Sequence, residues 1–179
     1  MTLLEMLLIS LSLASDAFAV SICKGMSIKN INLKKSLIIA SYFSIFQMLM
    51  PVIGYFIGSQ YISFITNFTH FIVFIILIII GLKMIDESRK ANMLNDKLNF
   101  KEMLILSIAT SMDALAIGIS FSLLKMTLLK PVSLIGVITF IVCFIGAKLG
   151  NKIGEKYKSK AELLGGIILI IIGLKIIIF

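Results

Sequence analysis

The sequence predicts an all-α integral membrane bundle of six transmembrane helices, arranged as two inverted three-helix repeats. Three observations carry that prediction. The 179 residues are 59% hydrophobic and only 15% charged, against about 25% charged in soluble domains, and the mean hydropathy is +1.09. Six apolar runs each approach the roughly 20 residues that a spanning helix needs. Motifs of the first half also recur, in order, in the second.

The first run, 3–23, has no basic segment before it; its one early charge is Glu5, so it reads as a retained span and not a cleaved signal peptide. The second, 36–58, contains Pro51. The third, 64–85, includes "FIVFIILIIIGLK", apolar on every side as a lipid-facing helix can be. The fourth, 103–124, repeats the wording of the first; the fifth is 131–150 and the sixth 161–179. No run shows the short alternating pattern of a membrane barrel. The chain is thus one membrane domain, 1–179, with repeat one at about 1–85, a cytoplasmic linker at about 86–102 and repeat two at about 103–179.

Basic residues orient the bundle. Of the 17 Lys and Arg, all but Lys125, Lys130 and Lys175 fall near the 1–2, 3–4 and 5–6 connections. The positive-inside rule makes those connections cytoplasmic and both termini extracytoplasmic. The formal charge of +8 is thereby accounted for by topology and lipid headgroups, and no nucleic acid is expected as a partner. Cys23 and Cys143 form no CxxC pair and read as packing residues.

"IILIIIGLK" stands at 75–83 and again at 167–175. Glu5-Met6-Leu7 recurs as Glu102-Met103-Leu104 and Asp16-Ala17 as Asp113-Ala114, each 97 residues on. Gly54-xxx-Gly58 is echoed by Gly146-xxx-Gly150 after 92 residues. Three helices per copy is odd, so the second copy crosses in the opposite sense, and transporters built this way place their site near the midplane. Asp16 and Asp113 each lie 11 residues after a glutamate, roughly 16 Å of helix and about half of a roughly 30 Å hydrocarbon core.

A charged Asp at mid-membrane costs about 2.5–3.5 kcal/mol on insertion scales. Two close together repel unless a proton or a cation intervenes. A divalent metal answers both problems, and oxygen donors favour hard ions such as Mg²⁺, Ca²⁺ and Mn²⁺. Ser12 lies one turn before Asp16 and Thr110 about one turn before Asp113, with Ser15 and Ser111 adjacent. Pro51 frees the carbonyl of Gln47, whose side-chain amide adds another oxygen; the matching position in the second copy is Thr139. The candidate metal set is therefore Asp16, Asp113, Gln47, Ser12, Thr110, Ser15 and Ser111. His70, near the outer end of the third run, reads equally as an interfacial anchor or a ligand. Small residues such as Ala14, Ala17, Ala114 and Gly118 would let the first and fourth helices approach closely.

With "SDAFAVSICKG", "FQMLMPVIGYFIG", "SIATSMDALAIGISF" and "GAKLGNKIGEKY" in hand, the chain resembles the MntP family of bacterial manganese efflux pumps along essentially its whole length. The resemblance implies a six-helix exporter in the bacterial inner membrane that moves Mn²⁺ out of the cytoplasm. It puts the motif carboxylates on Asp16 and Asp113 and the motif glycine on Gly25. The second-helix polar position is Glu in some members and Gln47 here. Mn²⁺ is then a transported substrate, no cofactor is required, membrane lipid is the surrounding partner, and a homodimer stays open.

The expected mechanism is alternating access around Asp16 and Asp113, one half rocking against the other. No GxxxxGK[ST] motif is present, so transport would be secondary. Two other readings remain at this point. An intramembrane aspartyl protease would use the two aspartates to activate water, but such proteases favour Gly-x-Gly-Asp and Asp113 follows "TSM". An amino-acid exporter would want an intramembrane cation for the substrate carboxylate, and the spans supply none.

Overall fold

A computed structural model describes residues 3–28, 31–58 and 99–157, together with isolated helical positions within 75–85 and 167–174. Most of the third and sixth expected spans, His70 and nearly all of the linker lie outside the described residues. Among the described residues every element is helical: α1 Leu3–Ser27, α2 Leu33–Gly58, α3 Phe100–Thr110, α4 Met112–Leu123 and α5 Leu129–Tyr157. Helices α1, α2 and α5 are each long and apolar enough to cross a membrane, and α3 with α4, bent by 43° at their junction, brings the number to four if the pair is one span. These are the first, second, fifth and fourth expected spans.

Asparagine caps set two of the helix starts. Asn32 Oδ1 accepts from the Lys35 N–H at 2.9 Å and Asn99 Oδ1 from the Lys101 N–H at 3.1 Å, each satisfying an orphan donor of the first turn. Lys34 and Lys35 are thereby inside α2, which begins three residues before the expected span. The α4–α5 turn is closed by Lys125 N–H to Ser122 O and Met126 N–H to Phe121 O, both 3.0 Å. That is a Schellman cap, with Lys125 at φ 50 where glycine is usual.

The fourth span departs from the unbroken helix expected at 103–124. It breaks at Ser111, whose N–H turns back to Ile108 O at 3.2 Å. The cause is hydroxyl competition for the helix carbonyls. Ser107 Oγ donates to Met103 O at 2.7 Å, Thr110 Oγ1 to Leu106 O at 3.0 Å and Ser111 Oγ to Ser107 O at 2.7 Å. Three such back-bonds in five residues bend a helix.

Each long helix buries a stripe of small and polar residues and turns its large apolar side chains outward. In α5 the buried stripe runs through Ile135, Gly136, Thr139, Cys143, Ala147 and Gly150, while Val137, Ile141, Ile145 and Leu149 are exposed. In a membrane, lipid would cover the second set as well as another helix would, so close backbone approach decides which faces pair. Helix α1 packs chiefly on α5, and α2 on α4 and α5. A Cβ on Gly146 would strike Phe18 and Ser21, and one on Gly150 the backbone of Ile22; a Cβ on Gly54 would strike the backbone of Leu115, and one on Gly58 that of Ile119. Both pairs of helices therefore run parallel. Their contacts also correspond: the steps of 92 and 97 residues that relate the sequence repeats carry Gly54·Leu115 onto Gly146·Phe18 and Gly58·Ile119 onto Gly150·Ile22.

One end of the bundle gathers the described parts of the basic connections. Lys24 Nζ meets Glu102 Oε1 at 2.9 Å, joining the end of α1 to the start of α3. Asn151, near the end of α5, donates to Ile28 O at 2.6 Å and accepts from the Ile31 N–H at 3.4 Å. Tyr42 and Phe100 pack edge to face, with ring centroids 5.7 Å apart.

Candidate metal centre

Between the two glycine-lined contacts, α1, α2 and α4 bring polar groups together. Asp16 on α1 and Asp113 in the first turn of α4 are each half-buried. The two carboxylates are within electrostatic reach of each other, and Asp113 also interacts with the Gln47 side chain. Asp113 Oδ1 accepts from the Ala114 N–H at 2.8 Å, at the helix N-terminus that the break at Ser111 creates. An N-terminus carries partial positive charge, and the break sets it where the carboxylate needs it.

Gln47 is fully buried. Its Nε2 donates to Leu13 O at 3.2 Å, fixing which way the amide faces. Its Oε1 is left buried with no partner, a state shared among the described residues only by Thr139 Oγ1. An orphaned buried acceptor costs about 1–3 kcal/mol, so this amide oxygen is available to accept a hydrogen bond or to meet a cation. Among the described residues no group of three or more His, Cys, Asp or Glu assembles. The donors available are two carboxylates and neutral oxygens, a hard set suited to a hard cation.

The other sequence candidates divide. Thr110 and Ser111 are buried next to Asp113, and their protons are committed to helix carbonyls, so they shape the bend and keep oxygen lone pairs free. Ser12 and Ser15 lie on an exposed face of α1, with Ser15 Oγ donating to Ser12 O at 2.6 Å. Gly25 closes against the Ala147 backbone, where a Cβ would overlap the carbonyl. It is a packing position at the end of the bundle that holds Lys24 and Glu102.

Among helical membrane proteins, carboxylates and an orphaned amide oxygen within the spans mark the class in which such groups are candidate functional sites. The comparison with known proteins narrows this class. The profile of the family described as "Putative manganese efflux pump" matches residues 30–177, and the chain belongs to that family. A protein of Desulfitobacterium hafniense named "Putative manganese efflux pump MntP" is 50% identical, the match covering 98% of this chain and 94% of its own. A Campylobacter jejuni protein of the same name is 53% identical over 97% of this chain and 95% of its own. One from Acetivibrio thermocellus is 42% identical over 99% and 91%. These relatives are named as pumps and none as an enzyme, which sets the protease reading aside. No solved structure matches.

Proposed function

We propose that this chain exports Mn²⁺ from the cytoplasm as a secondary transporter, by alternating access around Asp16 and Asp113. The observation that carries the reading is Gln47 Oε1, buried without a partner on a side chain that meets Asp113. Two carboxylates balance one divalent ion, and the amide oxygen adds a ligand at no further charge. The names of the relatives supply manganese as the metal and efflux as the direction.

Six spans in two inverted repeats complete the proposal, within the inner membrane and with both termini outside. The paired glycine contacts support the repeat, and the basic ends joined by Lys24, Glu102 and Asn151 support a common cytoplasmic side. In this reading one half of the chain rocks against the other, with the glycine-lined contacts of α1 on α5 and of α2 on α4 lying across the two halves. Mn²⁺ loads from the cytoplasm onto the carboxylates and leaves on the outer side as protons return.

The test is Mn²⁺ uptake into inside-out vesicles carrying purified protein. Wild type transports, while Asp16→Asn and Asp113→Asn each abolish transport and still elute as folded protein. Transport surviving in both variants would make the aspartates structural and end the proposal.

A further inference from the structure

We propose that Thr139 is a second neutral oxygen contact for the transported cation, serving Asp16 as Gln47 serves Asp113. The inference rests on the export reading above. Thr139 Oγ1 is fully buried and, with Gln47 Oε1, is one of two buried side-chain polar atoms without a partner among the described residues. A threonine in a helix ordinarily returns its hydroxyl to a carbonyl of the preceding turn, as Thr110 does here. Thr139 forgoes that bond.

Its position follows from its neighbours on α5. One turn further along, the Cys143 thiol lies beside the Ser21 hydroxyl of α1. One turn back, the Gly136 carbonyl accepts from Ser44 Oγ of α2 at 2.9 Å. Residues 136, 139 and 143 share one helix face, so Thr139 faces the seam between α1 and α2. Helices α1 and α5 run parallel, since Gly146 meets Phe18 and Gly150 meets Ile22. Stepping one turn back from the Ser21·Cys143 contact on both helices brings Thr139 level with Ala17, beside Asp16.

The repeat steps lead to the same place. The step of 92 residues carries Gln47 onto Thr139, and that of 97 carries Asp16 onto Asp113. The approach of the Gln47 side chain to the Asp113 carboxylate therefore has its counterpart in Thr139 with Asp16. Each aspartate then has one neutral oxygen from a neighbouring long helix. The cation, with or without one retained water, is handed between an Asp16–Thr139 position and an Asp113–Gln47 position.

The experiment compares Thr139→Val, which keeps the shape and removes the oxygen, with Thr139→Ser, which keeps the oxygen. Both are assayed for Mn²⁺ transport in inside-out vesicles and for Mn²⁺ affinity by titration of the purified protein. Loss of a contact at a metal site lowers affinity by about 10–100-fold. The valine variant is expected to weaken Mn²⁺ binding and raise the transport KM by at least about tenfold, with the serine variant near wild type. A valine variant with wild-type affinity and KM overturns the proposal, as does equal loss in both variants, because packing alone would then account for it. If Asp16→Asn abolishes transport while Thr139→Val is silent, export stands and this contact falls. If the aspartate variants are also silent, the export site itself is misplaced.

Discussion

The Lys24–Glu102 pair offers a direct measure of how firmly the end of α1 is tied to the fourth span. The N–O distance is 2.9 Å and the side chains are only 8% and 17% exposed. At an effective dielectric of about 20 the Coulomb attraction at that distance is about 6 kcal/mol, much of it offset by desolvation. Removing one partner of a buried pair costs about 3–5 kcal/mol, and the partial hydration of Glu102 points to the lower end. Glu102→Gln should therefore cost about 3 kcal/mol, or roughly 6–12 °C in melting temperature for a chain of this size. Lys24→Met should cost less, because the stranded Glu102 reaches water more easily than a stranded Lys24. The double variant Lys24→Met/Glu102→Leu should recover part of the loss, since no unpaired charge remains buried. The assay is thermal unfolding of the purified protein followed by helical circular dichroism. A fall below about 1 kcal/mol for Glu102→Gln, the range of surface pairs, would refute the reasoning, as would the opposite order of the two single variants.

Two further outcomes follow from the same geometry. A Cβ on Gly118 would overlap the Pro51 backbone, whereas one on Gly136 would meet only the flexible end of Met48; Gly118→Ala should therefore destabilise by about 1–3 kcal/mol and Gly136→Ala by much less, and equal melting shifts would contradict the close α2–α4 approach. Lys125→Gly should stabilise by about 1 kcal/mol, because it relieves a left-handed position in the α4 cap; an unchanged melting temperature would argue against that cap.

The spans were legible because apolar length is a local property. The runs at 3–23, 36–58, 103–124 and 131–150 all reappear as helix, and the structure moves their ends outward where Asn32 and Asn99 supply caps. Asp16, Asp113 and Gln47 stood out as candidates because a charge or an amide in such a run needs a partner. The break at Ser111 was not legible, because Ser107, Thr110 and Ser111 have two uses for their oxygens and sequence does not rank them. The three hydroxyls turned out to serve the backbone. Ser12 and Ser15 were grouped with Asp16 by spacing alone, but which face of α1 is covered depends on where α5 sits. That placement is decided by long-range contacts such as Gly146 on Phe18. Thr139 carried a weak signal, its match with Gln47 across the repeat. Only the unpartnered state of both side chains raises it above an ordinary threonine in an apolar run.

Charge balance joins these findings to the direction of transport under the proposed cycle. With a Glu at position 47 the loaded site would keep one negative charge; with Gln47 the two aspartates and one Mn²⁺ sum to zero, and Thr139 adds oxygen without altering that. A neutral loaded centre crosses between its two accessible states with little charge exposed to hydrocarbon. The empty centre would carry two negative charges through the same movement, and each isolated charge at the bilayer centre costs about 2.5–3.5 kcal/mol on insertion scales. In the proposed cycle the return step would therefore be the costly one, and it would proceed only when an incoming cation, such as protons from the outer side, compensates the pair.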